Sequence, residues 1–170
     1  MIKDKMADAL NKQVNEELYS AYLYGAMAAC FEDKNLPGFA QWMRMQADEE
    51  VAHAKRIVAY MYERGGRVKL TAIAEPPAEW DSPLEAYEAA YKHECHITDC
   101  INKLSTLASK EGDHATRVFL EWFVSEQVEE EASVDSFVQK LRLVKDAPGG
   151  LFMLDREAGG RTGGGPPAGA

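Results

Sequence analysis

The chain has 170 residues, of which 46% are hydrophobic, and this is enough for one domain with a sizeable core. Nineteen basic residues against 28 acidic ones leave a net charge of -9, and without a basic cluster interleaved with aromatic residues we expect no nucleic-acid partner. We also expect no signal peptide and no membrane association, because no apolar run is long enough for either, and we therefore predict a cytoplasmic protein.

Strong turn signals divide the chain into long segments that are typical of helices. The signals are NLPG at 35–38, GG at 65–66, EPP at 75–77, EGD at 111–113 and APGG at 147–150. The predicted helices cover residues 5–33, 38–64, 83–110 and 113–145, and a short fifth helix around GLFMLDREA follows the last break. The third helix has the clearest start, because SPLE at 82–85 is a capping box with proline in the first helical position.

The lengths of the connections predict how the helices are arranged. Short connections after the first and third helices make two antiparallel hairpins. The stretch 66–82 has 17 residues and spans at most about 56 Å, whereas a helix of 27 residues is about 40 Å long, so this stretch is able to run back along the bundle. We therefore predict an all-α, up-down four-helix bundle with one long crossover between the second and third helices.

The end of the chain differs in composition from the rest. The segment GGRTGGGPPAGA is rich in glycine and proline and cannot build a core. We therefore predict one bundle domain with its short fifth helix at 1–157 and a disordered tail at 158–170.

The three cysteines indicate a reducing compartment. Cys30, Cys95 and Cys100 form no CxxC pair and are odd in number. This pattern argues against zinc-ribbon and rubredoxin-like sites, and we expect free thiols.

Polar residues interrupt the apolar stripe of every long helix about midway along its length. The interrupting residues are Glu17 in the first helix, Glu50 and His53 in the second, Glu94 in the third, and Gln127 and Glu130 in the fourth. Adding 77 to positions 17, 50 and 53 gives 94, 127 and 130, so the two hairpins form a pseudo-repeat. Residues three apart on a helix lie on the same face, and we expect the six polar groups to meet in the bundle centre.

Four carboxylates in a protein interior require compensation, because burying one charge costs several kcal/mol even after relaxation. In the metal-free protein we expect protonation, with pKa values raised by burial and by like charges. Two divalent cations would neutralise the four carboxylates, and neutral His53 and Gln127 would complete their coordination. Oxygen ligands with a single imidazole favour iron or manganese, although zinc could compete. The alternative is a polar layer that only fixes the register of the bundle.

Four segments resemble the bacterial non-haem ferritins, which are ferritin-like di-iron carboxylate proteins. They are NEELYSAYLY at 15–24, EEVAH at 49–53, YKHE at 91–94 and FLEWFVSEQVEEE at 119–131. The resemblance covers nearly the whole chain and implies a ferritin-like bundle. The pair Gln127-x-x-Glu130 departs from Glu-x-x-His and separates this group from bacterioferritins and rubrerythrins. Val51 stands where bacterioferritins carry their haem methionine, so we expect no haem.

The resemblance also implies roles for the central residues. The first iron would be bound by Glu17, Glu50 and His53. The second would be bound by Glu94 and Glu130, with Glu50 bridging the two metals and Gln127 hydrogen-bonding bound oxygen. Tyr24 is similar to the tyrosine that the family places beside its site, although a packing role is also open.

A third metal site is suggested by Glu49, Glu126 and Glu129. Each precedes a predicted di-iron ligand by one residue and is therefore rotated by about 100° around its helix. Spacing alone favours solvated surface charges at these positions, whereas the resemblance implies a third iron site.

The resemblance implies an iron-storage function. A ferroxidase centre would oxidise Fe(II) with dioxygen or hydrogen peroxide, and ferric mineral would collect inside a shell of 24 subunits whose four-fold channels the fifth helix lines. Two alternatives remain open: a non-storage di-iron oxidoreductase or peroxide scavenger, and a non-catalytic bundle.

Overall fold

The computed structural model describes residues 1–145, 147 and 149–161, and these residues contain five helices. They are α1 (Asp4–Asp33), α2 (Pro37–Glu63), α3 (Pro83–Lys110), α4 (His114–Val144) and α5 (Gly150–Gly159). The predicted all-α four-helix bundle with a short fifth helix is confirmed, and the ends of the long helices lie within one residue of their predicted positions. No helix within the described residues is long and apolar enough to cross a membrane.

Side-chain caps define where α3 and α4 begin. Ser82 Oγ accepts a hydrogen bond from the Glu85 N–H at 3.2 Å, as the predicted capping box requires. Asp113 caps α4 by accepting the Thr116 N–H at 3.1 Å. The Asp113 carboxylate also pairs with Arg64, just after the end of α2, at 3.1 Å. The end of α2 is thereby tied to the start of α4.

The long crossover runs along α1. Asn11 Oδ1 accepts the Lys69 N–H at 2.7 Å, and Asn11 Nδ2 donates to the Arg67 carbonyl at 3.0 Å. One turn further along α1, Asn15 Nδ2 donates to Thr71 Oγ1 at 2.9 Å. These side chains form hydrogen bonds with the backbone of the crossover, which is neither helix nor strand in the part of the chain that the structure describes. Because the crossover returns along the bundle, α3 runs antiparallel to α1.

The core consists of two apolar clusters with a polar layer between them. One cluster contains Tyr24, Met43, Ala90 and Val134, and the other contains Val14, Ile57, Ile97 and Phe123, so each long helix contributes to both. The predicted polar residues lie between these positions on every helix. Closely packed apolar side chains on both sides therefore limit access of water to the polar layer.

The short helix α5 packs against the start of α2. The Asp155 carboxylate accepts the Phe39 N–H at 2.9 Å, and Leu154 and Ala158 are buried. A Cβ atom at Gly38 would lie only 1.7 Å from the Asp155 carbonyl oxygen. Gly38 is therefore required for the close approach of the two backbones.

The predicted boundary between the bundle domain and the tail falls inside α5. The helix continues through Gly159, and Arg161 contacts Gln46 and Glu49 on α2. The remainder of the predicted tail, residues 162–170, lies outside the described residues and stays a prediction.

Replacing Gly38 by alanine is expected to displace α5. Overpacking of this kind costs about 1–3 kcal/mol, and the Asp155–Phe39 hydrogen bond is lost with it. We expect a lower thermal midpoint and faster amide exchange in α5. Gly25→Ala is the matched control, because Gly25 is an exposed helical residue and an added Cβ there would have no neighbour within 4 Å among the described residues. That control is expected to be neutral or stabilising, and equal effects of the two variants would contradict the role of Gly38.

Candidate metal centre

The six polar residues predicted to meet in the bundle centre all lie in the layer between the two apolar clusters. None of the six residues is more than 5% exposed. They come from all four long helices: Glu17, Glu50, His53, Glu94, Gln127 and Glu130. The helical periodicity of the sequence therefore placed them on the buried faces correctly.

One half of the layer is formed by Glu17, Glu50 and His53. His53 Nδ1 lies 3.3 Å from Glu50 Oε2 and 4.0 Å from Glu17 Oε2, and one ligand atom from each residue lies within 4.8 Å of the other two. Gln13 orients Glu17 by donating to its Oε1 at 2.9 Å. Glu17 Oε2 is buried and receives no hydrogen bond within the described residues. A divalent cation fits this arrangement, because it would satisfy that oxygen and the neighbouring carboxylate together.

The other half of the layer contains Glu94, Gln127 and Glu130. Glu94 accepts hydrogen bonds from the Tyr24 hydroxyl and, at 3.2 Å, from Gln127 Nε2. Glu130 Oε2 accepts one from Gln46 Nε2 at 2.7 Å. Tyr24 is thus in contact with the centre as well as packed in the core. Glu94 is turned toward Tyr24 and Gln127, and within the described residues it does not join a group of three close ligand atoms.

Burial raises the pKa values of the four carboxyl groups, and repulsion within the centre adds to the shift at Glu50, Glu94 and Glu130. Burial raises the pKa of Glu50 well above its ordinary value, and the charges of Glu94, Glu17 and Glu130 raise it further. Burial likewise raises the pKa of Glu94 and of Glu130 to about 7. The pKa of Glu17 is raised by burial, although His53 opposes this shift. The metal-free centre therefore retains protons close to neutral pH.

The three predicted third-site residues differ in burial and in the groups that lie near them. Glu126 is half-buried and offers a ligand atom to a group with His53 and Glu130, in which all atoms lie within 4.8 Å. Glu49 is half-buried on α2, and burial raises its pKa. Glu129 is exposed and joins no such group in the part of the chain that the structure describes.

Arg161 contacts this region from the residues that follow α5, and the sequence patterns did not reveal it. Its Nη2 donates to Glu49 Oε2 at 2.7 Å, its Nη1 donates to Gln46 Oε1, and its guanidinium lies 4.8 Å from the centre of the Trp42 ring. Gln46 in turn donates to Glu130. Gln46 is a polar residue within the predicted apolar stripe of the second helix, and this signal could have identified it. No comparable signal marks Arg161.

Residues 7–144 match the ferritin family, described as the ferritin-like domain. The chain is 40% identical over 161 residues to the bacterial non-heme ferritin of Bacteroides fragilis (strain 638R), and the match covers 95% of this chain and 100% of that relative. It is 38% identical over 157 residues to the bacterial non-heme ferritin of Escherichia coli O157:H7, covering 92% and 95% of the two chains.

Solved structures agree with the sequence relatives. An open pore ferritin from the hyperthermophilic archaeon Archaeoglobus fulgidus superposes with a TM-score of 0.94 at 51% identity, covering 95% of this chain and 100% of that one. A humanized archaeal ferritin superposes with a TM-score of 0.94 at 48% identity, covering 95% and 99%. Motifs, fold and relatives therefore agree, and the chain belongs to the ferritin family.

Proposed function

We propose that this protein is an iron-storage ferritin whose bundle centre is a ferroxidase. The observation that carries the proposal is the buried group of Glu17, Glu50 and His53, in which one carboxylate oxygen receives no hydrogen bond from the residues that the structure describes. Membership of the ferritin family supports both the storage function and the oxidation of Fe(II). Iron is the substrate of this centre and the cargo of the storage protein. The centre itself is proposed to bind two iron ions per chain.

Glu50 is the proposed bridging ligand between two Fe(II) ions. Its carboxyl group experiences the charges of Glu17, Glu94 and Glu130 together, as expected for a group that lies between them. One ion would be bound by Glu17, Glu50 and His53. The other would be bound by Glu94 and Glu130, with Glu50 shared. Four carboxylates balance the four positive charges of two Fe(II) ions.

Reduction of the oxidant at this centre takes two electrons, and each Fe(II) supplies one. With dioxygen, two Fe(II) and two protons give two Fe(III) and hydrogen peroxide; with hydrogen peroxide and two protons, two Fe(II) give two Fe(III) and two waters. The negative carboxylates would stabilise the higher positive charge of Fe(III). Tyr24 and Gln127 hold Glu94 in place by donating to its oxygens, and Gln46 does the same for Glu130.

Storage requires a compartment that receives the oxidised iron. We propose that copies of this chain assemble into a shell of 24 subunits with octahedral symmetry, with α5 at the four-fold channels and ferric oxyhydroxide mineral inside. Fe(III) would leave the centre through Glu126, which adjoins His53 and Glu130. The net charge of -9 favours accumulation of cations. The free cysteines support a reducing cytoplasm as the place of action.

A third iron site is proposed at Glu49 and Glu126, with Glu129 as an outer ligand. Arg161 competes for this site, because its guanidinium already neutralises Glu49. Hydrogen bonds to charged groups contribute about 1.5–3 kcal/mol. Arg161→Ala is therefore expected to raise the affinity for a third cation by roughly tenfold or more.

The third-site prediction is measured with Tb³⁺ added to protein whose central site is already filled with Zn²⁺. Luminescence sensitised by the nearby Trp42 follows the binding. Arg156→Ala is the matched control, because Arg156 is an exposed arginine on α5. An Arg161→Ala variant that binds Tb³⁺ no more tightly than the control would contradict the competition.

The proposed ferroxidase is tested by rapid mixing of metal-free protein with increasing Fe(II) in air. The expected result is a fast phase of oxidation that saturates at two Fe(II) per chain, accompanied by uptake of dioxygen. Oxidation no faster than that of Fe(II) in buffer would overturn the assignment of the centre.

A groove beside Gln127 favours a second candidate, the non-storage di-iron oxidoreductase or peroxide scavenger. The groove has a volume of about 450 Å³ and lies between α3 and α4, with Tyr91, Thr98, Gln127 and Glu131 among its lining residues. Such an enzyme would keep only the iron of its own sites. The storage proposal predicts many more iron ions per chain, so iron retention distinguishes the two.

A further inference from the structure

A second group of metal-ligating side chains lies outside the bundle centre, where α1 faces α3. Glu16 belongs to α1, and His96 and Cys100 lie one turn apart on α3. One ligand atom from each lies within 4.8 Å of the other two. His96 is exposed and the other two residues are half-buried, so a cation from solvent is able to reach all three.

Two distances at His96 are close to those of a tetrahedral metal site. Cys100 Sγ lies 3.6 Å from His96 Nε2, and Glu16 Oε2 lies 3.0 Å from the same nitrogen. Tetrahedral zinc with bonds of about 2.3 Å to sulfur and 2.0–2.1 Å to nitrogen and oxygen gives a sulfur–nitrogen edge of about 3.6 Å and a nitrogen–oxygen edge of about 3.4 Å. The two edges at His96 therefore lie within a few tenths of an ångström of this geometry, and the Glu16 and Cys100 ligand atoms lie within 4.8 Å of each other.

We propose that Glu16, His96 and Cys100 bind Zn²⁺ or a divalent cation of similar softness. One thiolate, one imidazole and one carboxylate suit zinc, whereas the oxygen-rich bundle centre suits iron. The Cys100 thiol releases its proton to solvent on binding, and water completes the fourth position. The site does not depend on the proposed ferroxidase, because it shares no residue with it.

A metal at this position would join α1 and α3 beside the bundle centre. Glu16 is the chain neighbour of Glu17, and His96 follows Glu94 by two residues. His93 lies beside the group, with its ring 6.0 Å from that of His96, but its Nε2 is engaged by Ser20 Oγ at 2.7 Å. The group of close ligand atoms consists of Glu16, His96 and Cys100, and these three residues are the proposed ligand set.

The site is tested by adding Co²⁺ to the metal-free assembled protein. Cobalt bound to a thiolate gives a near-ultraviolet charge-transfer band, and the bundle centre has no sulfur ligand to produce one. We expect one equivalent of this band per chain and its loss when Zn²⁺ displaces Co²⁺. Cys100→Ser is expected to abolish the band, and His96→Gln is expected to weaken zinc binding by more than about 100-fold.

Cys95→Ser is the matched control, because Cys95 is a half-buried cysteine on the same helix. It is expected to retain the band, as is Glu50→Ala, which alters only the bundle centre. Absence of the band from the unmodified protein, its persistence in Cys100→Ser, or its loss in Cys95→Ser would overturn the proposal.

Discussion

Glu50→Ala is expected to slow the initial oxidation of Fe(II) by more than about 100-fold and to leave assembly intact. Loss of residues that merely orient metal ligands already costs about 10- to 100-fold, and Glu50 is proposed to bind both ions. The charge balance of the centre is also lost. The variant removes a buried carboxyl group that the neighbouring carboxylates repel, and we therefore expect the bundle to stay folded. Initial rates of Fe(III) formation and gel filtration measure the two outcomes.

Glu130→Ala is expected to behave in the same way, because Glu130 is the proposed partner of Glu94 at the second ion. Glu121→Ala is the control, since Glu121 lies on the same helix but is exposed and pairs with Arg117. An unchanged initial rate in either Glu50→Ala or Glu130→Ala would remove the basis for placing the ferroxidase in this layer.

The metal-free protein is expected to lose stability as the pH rises from 5 to 8. The pKa values of Glu94 and Glu130 are about 7 in the folded chain and 4.5 for the ordinary group. The folded state therefore holds protons that the unfolded state has released, and their stabilisation, on the order of 3 kcal/mol for each group, is lost as the pH passes through 7. Burial lowers the pKa of His93 from 6.5 to about 4, so His93 adds stability as the pH rises toward 6.5 and offsets part of this loss, whereas the lowered pKa of Asp113 makes a constant contribution in this window.

Thermal midpoints at fixed protein concentration measure this dependence. Replacing Glu94 and Glu130 together by glutamine retains hydrogen-bonding groups and removes the titration, so we expect a flatter profile. With Zn²⁺ bound, the direction reverses, because metal binding requires deprotonated carboxylates. A metal-free midpoint that rises between pH 5 and 8 would contradict the protonated layer.

The positions of the helices and the burial of the central residues could be predicted from the sequence, because both follow from helical periodicity. Glu17, Glu50 and Glu94 interrupt apolar stripes at matching depths, and burial of those stripes determines which face they occupy. The capping box at Ser82 is equally local. Such features depend only on residues three or four positions apart, which the sequence displays directly.

Contacts between distant segments could not be predicted in the same way. The approach of α5 to Gly38 depends on the exit angle of α4, and the position of Arg161 follows from that docking. The group of Glu16, His96 and Cys100 depends on the register of α1 against α3. Asn11 supports the crossover for a similar reason, because its partners are backbone groups almost sixty residues away.

The third-site residues could be predicted from the sequence only in part. Spacing alone favoured solvated charges at Glu49, Glu126 and Glu129, and only the family resemblance suggested a metal. The structure places Glu126 with His53 and Glu130, pairs Glu49 with Arg161, and leaves Glu129 exposed. Their shared role stays a prediction.

We propose that this chain oxidises iron in its bundle and stores the product in a shell. The most direct test of this function is the amount of iron retained per chain after metal-free protein is loaded with Fe(II) in air and passed through gel filtration. We expect far more than three iron ions per chain, eluting with an assembled particle. Three or fewer ions per chain would contradict storage and indicate a discrete di-iron enzyme, and a value near zero would indicate a bundle whose polar layer binds no iron.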